Sequence, residues 1–257
     1  MKETRNRRWK KLKSAIAEAV FGFIPSHVRP GVVLWFFERL RAIQRFTRRK
    51  FRNAARNAER FLSHIERVAG FGGYIEDQAA YGDMRFGAST IRHSGCEIIA
   101  AYNALRSLER GGEPSLTLLI DAFERDGMVL SGRWGTAPKA IRDFFVRQGY
   151  WTSFTADERE FDGIGELCDD FILTLYNDRH DIRRQVHTVY ISKRGGDFAA
   201  HNLHGNGSAP RDYRSLSGLV ASINGGSSKA ISLLGIRRQA PAEPAPGQVR
   251  WRPQTQE

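Results

Sequence analysis

The period of the apolar residues changes once along the chain, and this change restricts the fold more than any other feature. Apolar residues recur three or four positions apart, as on helices, in the segments 96–108, 115–127 and 136–149. Further on they alternate or run continuously, as on strands, in the segments 170–177, 186–193, 197–205 and 229–236. Helices followed by strands predict an α+β fold with helices packed on an antiparallel sheet.

Gly195 and Gly196 separate two of the predicted strands, and a pair of glycines at this position indicates a β-hairpin with a two-residue turn. In that register, the numbers of opposed residues sum to 391. His187 then lies opposite His204, and Asn202 is its diagonal neighbour on the same face. A bulge would shift the register by one residue and would bring His201 to His187 instead.

Positive charge is concentrated in the first part of the chain. The whole chain carries a formal charge of +12, but residues 1–70 hold 18 Lys and Arg against 5 Asp and Glu, a net charge of +13. The remaining residues are therefore close to neutral, which indicates two units with different roles. The basic segment predicts two amphipathic helices, one over residues 9–24 and a long one from Val32 to Val68.

The composition of the chain divides it into three parts. Residues 1–73 form a basic helical arm, residues 74–238 form one domain, and the Pro- and Gln-rich residues 239–257 are expected to be disordered. The N-terminus resembles a positively charged signal region, but its apolar run is short and contains Glu18. No uncharged apolar stretch of about 18 residues is present, so we expect no transmembrane helix.

Cys96 is the strongest candidate for a catalytic residue. It follows a Ser-Gly turn and begins a predicted helix, where the positive end of the helix dipole would lower the pKa of its thiol. A histidine, held by a third group, would complete a nucleophilic site. The alternative is an inert buried thiol, which is our interpretation of Cys168. Two cysteines are too few for a disulfide framework, so the sequence favours a reducing compartment, although a single Cys96–Cys168 bridge is not excluded.

The segments "GCEIIAAYNAL" (95–105), "VHTVYI" (186–191) and "HNLHGNG" (201–207) resemble papain-like cysteine peptidases. The similarity is greatest to the bacterial peptidases that remove double-glycine leaders from bacteriocins. It implies a papain-like fold over residues 80–236, with Cys96 as nucleophile, His187 as general base and acid, and Asn202 as the residue that orients the imidazole. His204 is an alternative orienting residue, because that assignment depends on the hairpin register.

One position departs from the family pattern. Papain-like enzymes place a glutamine shortly before the cysteine to hold the oxyanion, whereas this chain has Ser89 and Thr90 in that region. Either hydroxyl could act beside the backbone N–H of Cys96. The sequence contains no CxxC, HExxH or phosphate-loop motif, so we expect no metal and no cofactor.

The sequence therefore predicts a cysteine-dependent hydrolase that acts on a peptide or amide by acyl-enzyme chemistry. The alternative is an inactive papain-like module that binds a partner protein or an anionic membrane through its basic arm. Non-specific nucleic-acid binding ranks third, because it depends on charge alone. We expect a cytoplasmic protein whose arm packs on the domain or on a second copy of the chain. Attachment of the arm to the inner face of the membrane is the alternative.

Overall fold

The computed structural model describes residues 28–47, 51, 53–64, 72–109, 114–179, 186–203 and 212–238. The predicted helix over residues 9–24, the tail 239–257 and His204 lie outside these ranges. The α-helices of the described residues are α1 (Pro30–Thr47), α2 (Ala54–Leu62), α3 (Ile91–Ser94), α4 (Cys96–Leu108), α5 (Leu116–Asp126), α6 (Pro138–Arg147), α7 (Phe161–Leu167) and α8 (Leu216–Ser222).

The strands of the described residues form two sheets. A short pair joins β1 (Arg85–Phe86) to β2 (Ser89–Thr90). The main sheet is antiparallel and contains six strands in the order β3-β8-β4-β5-β6-β7. These strands are β3 (Trp151–Thr155), β4 (Asp170–Tyr176), β5 (Val186–Arg194), β6 (Asp197–His201), β7 (Asp212–Tyr213) and β8 (Lys229–Arg237). Helices packed on an antiparallel sheet confirm the predicted α+β class.

The predicted register of the hairpin between β5 and β6 is confirmed. Arg194 pairs with Asp197, and Tyr190 pairs with His201, so Gly195 and Gly196 form the turn. Both glycines have positive φ values, which a glycine adopts without steric cost. Strand β6 ends at His201, earlier than predicted, and Asn202 leaves the strand with a φ of +58°.

The main sheet is covered by helices on both faces. Tyr190 and other residues of one face pack in the same apolar cluster as α4, α5 and α6. Val189 and Ile191 of the opposite face pack in a second cluster with α7 and α8. Because side chains alternate along β5, the two clusters divide its residues between them. The helix that begins with Cys96 therefore lies against the centre of the sheet.

The N-terminal helices pack on the domain. Phe37 of α1 is buried in a cluster with Ala140 of α6 and Tyr176 of β4. The single helix predicted from Val32 to Val68 is wrong, because the described residues contain two helices, and Phe51 and Asn53 between them belong to neither. The Asn53 amide instead donates hydrogen bonds to the Gly87 carbonyl and to the Glu124 carboxylate. These distant contacts compete with continuation of the helix.

Among the described residues, no helix has both the length and the apolar character that crossing a membrane requires. The boundary that we predict at residues 70–73 remains a prediction, and residues 65–71 lie outside the described ranges.

Candidate active site

Cys96 occupies the first position of α4, as predicted. The short helix α3 ends at Ser94, and Gly95 makes the turn between the two helices. A Cβ atom on residue 95 would lie 2.7 Å from the carbonyl oxygen of Ile91, so only glycine fits this turn without a clash. Cys96 is 6% exposed. Cys96 and Cys168 are both free and buried, which excludes the bridge that the sequence left open.

Two neighbours contact the Cys96 thiol. Its sulfur lies 3.4 Å from Oε2 of Glu97, and it also accepts a hydrogen bond from the backbone of Thr188, the residue that follows His187. Burial and the Glu97 charge raise the pKa of the Cys96 thiol well above its ordinary value, and burial is the larger cause. This direction is opposite to the one that we expected from the helix N-terminus. The group is therefore a protonated thiol at neutral pH.

Glu97 is a buried carboxyl group that the sequence analysis missed. It lies against Gly135, where a Cβ atom would be 2.4 Å from Oε1, and it also has a hydrogen bond with the backbone of Thr136. Burial raises the pKa of Glu97 to about 7. The sequence could have indicated this residue, because it is an acidic side chain that directly follows the candidate nucleophile. The cradle that holds it comes from a loop about 40 residues further along the chain.

His187 lies near the start of β5 and is half-buried. Its Nε2 atom is 2.8 Å from the backbone carbonyl oxygen of Asn202. A carbonyl oxygen only accepts hydrogen bonds, so Nε2 carries the proton and the lone pair of the neutral ring is on Nδ1. This tautomer is the one that a general base acting through Nδ1 requires.

Asn202 reaches His187 with its backbone and not with its side chain. The side-chain oxygen accepts from the backbone N–H of Gln78 at 3.1 Å, and the side-chain nitrogen donates to Oε1 of Gln78 at 3.2 Å. Gln78 also donates from Nε2 to the carbonyl of Arg92, two residues before the end of α3. The structure therefore places Asn202 beside His187, as the register predicts, and adds a glutamine that the sequence analysis did not identify.

Ser89 and Thr90 are half-buried residues that form β2 and lead directly into α3. The carbonyl of Thr90 accepts a hydrogen bond from the hydroxyl of Ser94 at 3.4 Å. Both residues are thus close to Cys96 along the chain, and their role at the oxyanion remains a prediction. Among the described residues, no group of three or more His, Cys, Asp and Glu side chains could hold a metal ion.

No protein-family model matches the chain, and no curated protein matches it significantly. A solved structure of the peptidase domain of Streptococcus ComA, a bifunctional ABC transporter involved in quorum sensing, is similar to it with a TM-score of 0.38 and 12% identity. The match covers 56% of this chain and 91% of that domain.

Proposed function

We propose that the chain is a cysteine-dependent hydrolase, a papain-like peptidase that cleaves a peptide or amide bond. One observation carries this proposal. The Cys96 sulfur contacts the backbone of Thr188, next to His187, and the His187 ring is held in the tautomer whose lone pair is on Nδ1. A nucleophile at a helix N-terminus and a base with a fixed tautomer are the two parts that acyl-enzyme chemistry needs.

Because the pKa of Cys96 is raised, the proposed reaction begins from a thiol and not from a preformed ion pair. His187 takes the thiol proton at Nδ1 as the sulfur attacks the substrate carbonyl carbon. The protonated imidazole then gives this proton to the leaving nitrogen, and a thioester remains on Cys96. Water, deprotonated by His187, hydrolyses the thioester and regenerates the thiol. The backbone N–H of Cys96, with Thr90 or Ser89, would stabilise the oxyanion.

A second candidate function is an inactive module of the same fold that binds a partner. The observation that favours it is the contact between Cys96 and Glu97, since a carboxylate beside a buried thiol opposes thiolate formation. In that case, the outer face of α1 would hold the domain on an anionic membrane. Trp35 is 57% and Ile43 is 58% exposed there, and the Arg39 guanidinium lies over the Trp35 ring.

The rate of Cys96 alkylation by iodoacetamide, followed from pH 6 to pH 10 by peptide mass spectrometry, separates the two functions. Cys168, whose pKa burial raises to about 11, is the internal reference for this rate. The hydrolase requires His187→Ala to slow Cys96 and leave Cys168 unchanged. A Cys96 that reacts equally in both proteins would refute the hydrolase. Sedimentation with vesicles of anionic lipid, compared between the natural chain and Trp35→Ala, then tests the binding module.

A further inference from the structure

A second group of polar residues is buried on the far side of Asn202. The His201 ring, 1% exposed, has Nδ1 at 2.5 Å from Oε1 of Glu76 and Nε2 at 3.0 Å from the hydroxyl of Ser192. The ring lies beside the aromatic rings of Tyr74 and Tyr190, with centroids 4.5 and 5.1 Å away. Contacts on both nitrogens and beside the ring fix its position.

Ser192, His201 and Glu76 are arranged like the nucleophile, base and acid of a catalytic triad, but all three are too buried for a substrate to reach them. Ser192 is 4% exposed and Glu76 is 5% exposed. A serine without access to a substrate carbonyl cannot act as a nucleophile on it. The role of these three residues is therefore to hold neighbouring parts of the fold in place.

The second carboxylate oxygen of Glu76 shows where this action is directed. Oε2 accepts the backbone N–H of Asn202 at 2.8 Å, and Asn202 has the left-handed φ of +58°. The carbonyl of the same residue accepts from Nε2 of His187. His201 is thus connected to His187 by a continuous path. The path consists of the hydrogen bonds from His201 to Glu76 and from Asn202 to Glu76, the backbone of Asn202, and the hydrogen bond from His187 to the Asn202 carbonyl.

We propose that Glu76 and His201 are positioning residues for His187. Glu76, held by His201, keeps Asn202 in the left-handed conformation that directs its carbonyl at Nε2, and this contact sets the tautomer of His187. The left-handed region costs free energy for a residue other than glycine, so its retention needs external contacts of this kind. The inference rests on the proposed function only in taking His187 as the general base.

The tautomer of His187 is measurable without any substrate. In a two-bond ¹H–¹⁵N spectrum of the ¹⁵N-labelled chain, assigned with His187→Ala, the natural protein should show His187 protonated at Nε2. Glu76→Gln keeps the side-chain size but presents an NH₂ group to one of two donors, Nδ1–H of His201 or N–H of Asn202. We expect this variant to give a mixture of both His187 tautomers and a roughly tenfold lower rate of His187-dependent Cys96 alkylation.

Two matched variants separate positioning from loss of packing. Ser192→Ala removes a contact of His201 but leaves the bonds of Glu76 to His201 and Asn202, so the His187 tautomer should stay that of the natural chain. Glu158→Gln changes an exposed glutamate and should also leave it unchanged. An equal change of the His187 tautomer in Ser192→Ala and Glu76→Gln would overturn the inference, because it would indicate a general loss of packing around His201.

The natural chain alone provides a further test, which does not depend on the folding of any variant. A His187 protonated at Nδ1 would overturn the inference, and so would rapid solvent exchange of the Asn202 amide, which Glu76 should protect. If the tautomer shifts in Glu76→Gln while Cys96 is indifferent to His187→Ala, the positioning role stands and the hydrolase proposal fails. The two ideas therefore fail by different measurements.

Discussion

Replacement of Glu97 by glutamine should increase the reactivity of Cys96. The carboxyl oxygen lies 3.4 Å from the sulfur, and both its charge and its hydrogen bond with the thiol raise the Cys96 pKa. Glu97→Gln removes the charge but keeps nearly the same volume between Cys96 and Gly135. The cost of burying a thiolate, which is the larger cause of the raised pKa, remains. The expected pKa of Cys96 is therefore lower than in the natural chain.

The size of this effect follows from the distance. Two unit negative charges 3.4 Å apart repel each other by about 5 kcal/mol at an effective dielectric constant of about 20. Glu97, with its pKa of about 7, is predominantly ionised at pH 8. If only a quarter of the repulsion survives local relaxation, the loss of the charge lowers the Cys96 pKa by about one unit. Below that pKa, one unit corresponds to about tenfold more thiolate.

The assay is the rate of iodoacetamide alkylation of Cys96 at pH 8, with Cys168 as the internal reference. Glu124→Gln is the matched control, since Glu124 is also a buried carboxyl group with a raised pKa but contacts Asn53 and Gly87. We expect about tenfold faster alkylation in Glu97→Gln and no change in Glu124→Gln. A folded Glu97→Gln protein with the natural rate would show that Glu97 does not restrain the thiol.

Three further predictions concern stability. The pKa of Glu97 is about 7 in the folded chain and near 4.5 in the unfolded chain, so the folded state binds more protons between these values, and this group's contribution of about 3 kcal/mol is present below pH 4.5 and is lost as the pH rises to about 7. Urea unfolding should therefore give a lower free energy of unfolding at pH 7 than at pH 5, and Glu97→Gln should lack this difference. Gly135→Ala should destabilise the fold by about 1 kcal/mol or more in urea unfolding, because residue 135 has a φ of +66° and the added Cβ would meet Glu97. A stability equal to that of the natural chain would contradict the close packing of Glu97 on Gly135. Phe37→Ala should cost about 3–5 kcal/mol, whereas the exposed Trp35→Ala should stay within about 0.5 kcal/mol, and similar losses in both would show that α1 is not packed as described.

The parts of the fold that the sequence predicted are those whose signals are local. Ser115 caps helix α5 by accepting a hydrogen bond from the backbone N–H of Leu118, and Gly127 follows the last helical residue, so the helix lies within the predicted segment 115–127. The hairpin register follows from two adjacent glycines. Such caps and turns involve residues within a few positions of one another, so a single sequence contains the whole signal.

The elements that the sequence missed depend on distant contacts. Helix α7 has only seven residues and contains Gly163 and Gly165, which disfavour a helix. A Cβ atom on Gly165 would lie 3.2 Å from the Phe198 ring, so the second glycine allows α7 to approach β6 closely. The helical pattern from Val32 to Val68 failed for a related reason, since the bonds of Asn53 reach residues 34 and 71 positions away.

The candidate site also contains parts that the sequence predicted and parts that depend on distant contacts. The placement of Cys96 and the proximity of Asn202 to His187 followed from a helix start and a strand register. The atom that contacts His187 did not, because the backbone carbonyl of Asn202 is presented by a left-handed residue that Gln78 and Glu76 hold from 124 and 126 positions away. No local pattern encodes contacts across such a distance.

In the proposed hydrolase, Glu97 and His187 act on the Cys96 proton in opposite directions, and the balance between them separates the two candidate functions. Glu97 keeps the proton on sulfur. In the proposed mechanism, this proton passes to the lone pair on Nδ1 of His187, whose Nε2 contacts the Asn202 carbonyl. A substrate carbonyl that enters beside Cys96 would exclude water and favour the neutral form of a carboxyl group whose pKa is already about 7. Once Glu97 is neutral, the charge that opposes the thiolate is gone, and proton transfer to His187 becomes easier. A peptidase with this arrangement is restrained without substrate, and an alkylation rate of Cys96 that is the same in the natural chain and in His187→Ala would leave only the binding module.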